Sequence, residues 1–259
     1  MKAHSNPSRL TAIVAIMATV FTLGTLPVSA VSDGNTLKSS NTCTRITALE
    51  STATAALSSK LAAMNNNFSA RTTKLDERKA TIDQKVSAAR EKASSNFDKA
   101  IARILERNLT DTQKEAVTTF QAAMKTAAKT RQEAVDTARA TYRTNLAEAI
   151  KTHQVSLEAT ATAYQSAVET AFTTAKANCS DSTATATLRT AVKAARDTFK
   201  TARQELRTTN VTDVKSFMTA RNDAIKAANE AFAMAAQEYS QTLSTALSAD
   251  TSSTSAENN

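Results

Sequence analysis

The sequence predicts an all-α fold. A long antiparallel helical hairpin, coiled-coil-like with an 11-residue apolar period, carries a second, shorter helical hairpin packed on its base as a four-helix bundle. Three observations lead there. Gly occurs only at 24 and 34 and Pro only at 7 and 27, so nothing from residue 35 onward supplies the turn chemistry of β-hairpins or phosphate loops. Cys43 and Cys179 flank the segment Asn108-Leu109-Thr110-Asp111 almost symmetrically. Apolar residues recur at 11-residue intervals, as in Met124, Val135, Leu146, Leu157 and Val168. That period is about 3.67 residues per turn, close to a straight helix.

The first 30 residues read as an export signal. Lys2 and Arg9 make a basic start, Leu10 to Leu23 an apolar core, and Pro27-Val28-Ser29-Ala30 a small-residue cleavage site. The core is shorter than the roughly 20 residues a membrane span needs, and an uncleaved anchor is the alternative. Export places the protein in the periplasm, at the cell surface or outside the cell. Residues 31–40 are polar and read as a linker.

The long hairpin is expected over residues 41–178, with its turn at 108–111. Asn108 tolerates helix-ending backbone, and Thr110 with Gln113 forms a capping-box pattern. Folding back there makes facing residues sum to about 221. Leu57 then meets Tyr164, Met64 meets Leu157, Phe68 meets His153, Val86 meets Val135 and Ile101 meets Phe120. The same fold-back brings Cys43 to Cys179. In an oxidising compartment such a pair is expected to form a disulfide. Arms of this length would measure about 100 Å at 1.5 Å per residue.

The shorter hairpin is expected over 181–247, capped by Asp181 or Ser182, with a turn at 209–213. Asn210-Val211-Thr212-Asp213 echoes the first turn. A disordered, Ser-rich tail is expected over 248–259.

Charge divides the hairpin. Residues 71–151 hold 17 basic and 11 acidic side chains, whereas 44–70 and 152–178 are nearly uncharged. The charge-poor halves read as covered by neighbouring helices, and the basic outer part as the exposed projection. Lys85, Arg90, Lys92 and the turn residue Leu109 are the candidate interaction residues. His153, the only His after the leader, has no acid or Cys three or four residues away and reads as a seam residue. No catalytic residue, metal ligand or cofactor motif is identified. The function expected is a non-catalytic, exported helical structural or interaction protein, a rigid spacer or stalk at the cell envelope. Its partner would be a protein or an acidic envelope polymer, with weak anionic lipid contact and no specific nucleic acid. The rival expectation is an envelope holdase chaperone or an anionic lipid-surface binder.

Overall fold

The computed structural model describes residues 39–253, with side chains described for 42–248. The expected leader, most of the linker and the last six residues of the tail lie outside this range. Three long helices make up the described chain: α1 (Ser39–Leu105), α2 (Asp111–Ala177) and α3 (Ala184–Ser253). No strand occurs among the described residues.

Both helix breaks have identifiable chemistry. Thr110 and Gln113 satisfy one another reciprocally: Thr110 N–H donates to Gln113 Oε1 at 3.1 Å, and Gln113 N–H to Thr110 Oγ1 at 3.3 Å. This closes two of the orphan donors that begin α2. Before α3, Asp181 Oδ1 accepts from the Thr183 backbone N–H at 2.8 Å and from its hydroxyl at 2.9 Å. These bonds hold the Asp181 carboxyl below its usual range, the backbone bond first.

The expected second hairpin is absent. α3 runs unbroken through 209–213, so the described bundle has three helices rather than four. The two Asn-x-Thr-Asp segments differ three residues beyond the threonine. Gln113 completes the box at Thr110, but Lys215 stands at the equivalent place after Thr212 and cannot accept a backbone N–H. Thr212 instead donates its hydroxyl to the Thr208 carbonyl at 3.0 Å, as threonines inside a helix do. With no Gly or Pro nearby, nothing stops the helix. α3 also continues to Ser253, five residues beyond the start of the expected tail.

The chain forms two compact units, and each helix contributes a segment to both. The first comprises the described residues up to 73 with 146–215, and the second comprises 74–145 with the described residues from 216. The first unit has a contiguous core. Ile46, Leu57, Met64 and Phe68 of α1 meet Leu157, Tyr164, Val168 and Phe172 of α2 and Leu188, Val192 and Phe199 of α3. Tyr164 stacks on Phe199 with ring centroids 5.2 Å apart. Fully burying one such side chain contributes about 1.5–3 kcal/mol. In the second unit, Ile101, Val117, Val135, Ala138, Tyr142 and Ala228 are buried apolar residues.

The fold-back register of α1 on α2 is observed in each unit. Phe68 meets His153 edge-on at 6.2 Å in the first unit, a pair whose numbers sum to 221. In the second, Phe97 meets Phe120 at 6.3 Å, one turn along α1 from the Ile101 expected opposite Phe120.

The two threonines offer a direct check on where the chain turns. Thr110→Ala should cost about 1 kcal/mol by removing the cap. Thr212→Ala should be neutral or slightly stabilising, because Ala is the better helix former. Urea denaturation of the two variants measures both, and equal losses would restore a turn at 209–213.

Candidate functional site

Cys43, in the second turn of α1, is joined by a disulfide to Cys179, just past the end of α2, with Cα atoms 5.1 Å apart. The turn that brings Cys179 back is built by short-range bonds. Asn178 Nδ2 and Asn178 N–H both donate to the Thr174 carbonyl, and Cys179 N–H donates to the Lys176 carbonyl. Close by in the same unit, Lys176 Nζ contacts both carboxylate oxygens of Glu50 at 2.8 and 2.7 Å, a second α1–α2 link.

In the second unit, three carboxylates of the basic segment are paired between helices. Arg90 of α1 grips Asp136 of α2 through two parallel bonds of 2.8 and 2.7 Å. Arg143 of α2 grips Asp83 of α1 in the same way, at 2.9 and 2.5 Å. Asp98 of α1 accepts from Lys125 at 2.7 Å and from Gln121 at 2.8 Å. Such fork-on-fork pairs fix geometry as well as charge. Hydrogen bonding from Arg143, Arg90 and Lys125 respectively is the main cause that holds Asp83, Asp136 and Asp98 below the usual carboxylate range. These depressed carboxyls favour the fold above their ordinary pKa of about 3.9, and that contribution is lost in stronger acid.

The four candidate interaction residues do not form one patch. Lys85 and Lys92 are exposed on α1 and, at a spacing of seven, lie on one face. Among the described residues no carboxylate stands within ion-pair distance of either. Arg90 lies elsewhere on the circumference and is held by Asp136. Leu109 is half-buried in the turn between α1 and α2.

α3 also packs in the second unit, where Arg221 lies over the Tyr142 ring at 4.6 Å and Arg131 over the Phe232 ring at 5.4 Å. Arg131 Nε further donates to Asn229 Oδ1 at 2.6 Å, and Gln113 Nε2 to the Leu247 carbonyl at 3.2 Å. The basic segment is therefore not a bare two-helix projection. Its cationic and apolar side chains are shared with the second half of α3.

His153 is half-buried against Phe68, and its Nδ1 is buried without a hydrogen-bond partner. Burial lowers its pKa below 6.5. The described helices contain no group of three or more His, Cys, Asp or Glu placed to hold a metal ion, and none is long and apolar enough to cross a membrane.

One feature escaped the sequence reading. Along the first half of α3, Arg189, Lys193, Arg196, Lys200, Arg203 and Arg207 each follow by one residue the apolar line Leu188, Val192, Ala195, Phe199, Ala202 and Leu206. Aligning the charges with the apolar line, instead of totalling them by segment, would have exposed it. Comparison with protein-family models, with curated proteins and with solved structures finds no match.

Two outcomes are expected here. Replacing both cysteines by Ser should destabilise the protein by up to about 5 kcal/mol in the chain-entropy description. Melting with and without reductant measures this, and an unchanged midpoint would contradict it. His153 carries the pH dependence. Its folded pKa is lowered, so the unfolded chain binds the proton more readily. Stability should fall as pH drops below about 6.5 and level off once pH is below the folded value. His153→Gln should flatten stability between pH 7 and 5, a window above the titration of ordinary carboxylates.

Proposed function

We propose that this chain is an exported, non-catalytic helical structural or interaction protein, acting as a rigid spacer or stalk at the cell envelope. The observation that carries this reading is how its functional-looking side chains are used. Both cysteines are consumed in one crosslink, and three α1 aspartate or arginine positions of the basic segment lock α1 to α2. Such chemistry holds helices in register rather than presenting a reacting group. A disulfide persists in oxidising compartments, which supports export. The 11-residue apolar period supports coiled-coil-like packing with little supercoil. Residues 1–30 would be the leader, cleaved after Ala30, and the partner would be an envelope protein or an acidic envelope polymer.

The experiment is photo-crosslinking in the native host from a probe at Leu109, with a second probe at Lys85, combined with fractionation and thiol labelling. A disulfide-bonded protein lacking residues 1–30, found in an envelope or secreted fraction and joined to one envelope component, is the expected result. A cytosolic protein with free thiols would overturn the reading. Suppression of substrate aggregation by a reversibly opening bundle would replace it with the holdase reading.

A further inference from the structure

We propose that Asn108, in the turn between α1 and α2, is the site at which the folded protein accepts an N-linked glycan. This rests on the export part of the reading above, because oligosaccharyltransferases act on exported chains. Four Asn-x-Ser/Thr triplets without a central Pro occur in the sequence: Asn67-Phe68-Ser69, Asn108-Leu109-Thr110, Asn178-Cys179-Ser180 and Asn210-Val211-Thr212. The triplet is the acceptor pattern for N-glycosylation. In a chain so rich in Ser and Thr several matches arise by chance, so the pattern alone selects none of them. Their places in the fold do.

The transfer sets the requirements. A bond forms between the asparagine Nδ2 and the anomeric carbon of an oligosaccharide carried on a lipid diphosphate. The bond from that carbon to the diphosphate breaks, the lipid diphosphate leaves, and Nδ2 loses one proton. The acceptor therefore needs an exposed carboxamide whose N–H groups are uncommitted. It also needs backbone that bends into the enzyme, which a helix tied by bonds from each N–H to the carbonyl four residues back does not offer.

Three of the four triplets fail. Asn67 is exposed but lies deep inside α1, and its neighbour Phe68 is a buried core residue packed on His153. Asn178 spends its Nδ2 on the Thr174 carbonyl at 2.9 Å, and the central residue of its triplet, Cys179, is crosslinked to Cys43. Asn210 is buried within the unbroken α3. Asn108 meets both requirements. Residues 106–110 are the non-helical link between α1 and α2, and Glu106, Arg107, Asn108 and Thr110 are all exposed. The hydrogen bonds of the link bypass the Asn108 carboxamide: Leu109 N–H donates to the Arg107 carbonyl at 2.8 Å, and Thr110 N–H to Gln113 Oε1 at 3.1 Å. A glycan there projects from the turn and leaves the α2 cap and the buried core as they are.

A second feature singles out the same asparagine. Bacterial oligosaccharyltransferases also require an acid two residues before the acceptor. Glu106 stands there for Asn108, whereas Asn65, Lys176 and Thr208 precede the other three. Glu106-Arg107-Asn108-Leu109-Thr110 thus satisfies the shorter and the longer form of the pattern.

The test incubates the purified, disulfide-bonded protein with a bacterial oligosaccharyltransferase and a fluorescent lipid-linked oligosaccharide. Peptide mass mapping follows, both on this product and on protein recovered from the native host. One glycan per chain, on Asn108, is expected from both sources. Asn108→Gln and Glu106→Gln should each cut transfer about tenfold or more, while Asn67→Gln and Asn178→Gln should change it less than about twofold. Asn108→Gln leaves Thr110 and Gln113 in place, so its melting midpoint should match that of the unglycosylated parent. No transfer to the folded protein, transfer undiminished by Asn108→Gln, or a glycan on another asparagine would each overturn the inference. The export reading fails separately. An exported, disulfide-bonded chain with a bare Asn108 in its own host sinks the glycan site alone, and a cytosolic chain that accepts the glycan at Asn108 in vitro sinks the export reading alone.

Discussion

Register in this protein is set at the two places where the helices stop. The Thr110–Gln113 reciprocal cap fixes where α2 begins, and with it which α1 residue faces which α2 residue. Contacts from both units obey one rule. Glu50–Lys176, Phe68–His153, Asp83–Arg143, Arg90–Asp136 and Phe97–Phe120 have numbers summing to between 217 and 226. The turn around Asp181 does the same for α2 and α3. Tyr164–Phe199, Tyr142–Arg221, Arg131–Phe232 and Gln113–Leu247 sum to between 360 and 363. An Ala- and Thr-rich helix buries little area per turn, so a slip of one turn would replace few contacts of much worth. Well-placed stops and paired charges are what make one register preferable to its neighbours.

This explains which parts of the fold were legible. The first turn could be read because its chemistry is local and complete: a threonine, a glutamine three residues later, and an asparagine before them. The cysteine pairing followed from that turn by symmetry. The supposed turn at 209–213 shares the asparagine, threonine and aspartate but has Lys215 where the box needs an acceptor. A motif matched in three positions out of four invites the wrong reading when the missing position carries the hydrogen bond. The α3 contacts of the second unit, such as Arg221 over Tyr142, depend on that helix continuing and were hidden with it.

Charge density was also misread, for a physical reason. By composition the charge-rich segment reads as lacking neighbours, yet it packs against α3 as well. Its charges mark how the helix seams are edged. In the first unit large apolar side chains fill the contact, and in the second bidentate arginine–aspartate pairs flank a thinner apolar seam. Since these pairs are partly exposed, each contributes little energy, and their main effect is on alignment. Threonine plays a quieter part. Hydroxyls at 72, 81, 118, 160, 190 and 208, among others, donate to the carbonyl four residues back. A residue of mediocre helix propensity thereby covers the surface without leaving its polar group in search of a partner.

The crosslink between Cys43 and Cys179 spans a sequence separation of 136, and so makes a covalent ring of most of α1 and all of α2. A protease that cuts this ring once, anywhere along it, releases nothing. The two ends stay on the same molecule, tethered through sulfur and held by the helix contacts on either side of the nick. A single clip then leaves the molecule in one covalent piece, and reduction must accompany that clip before a fragment is freed.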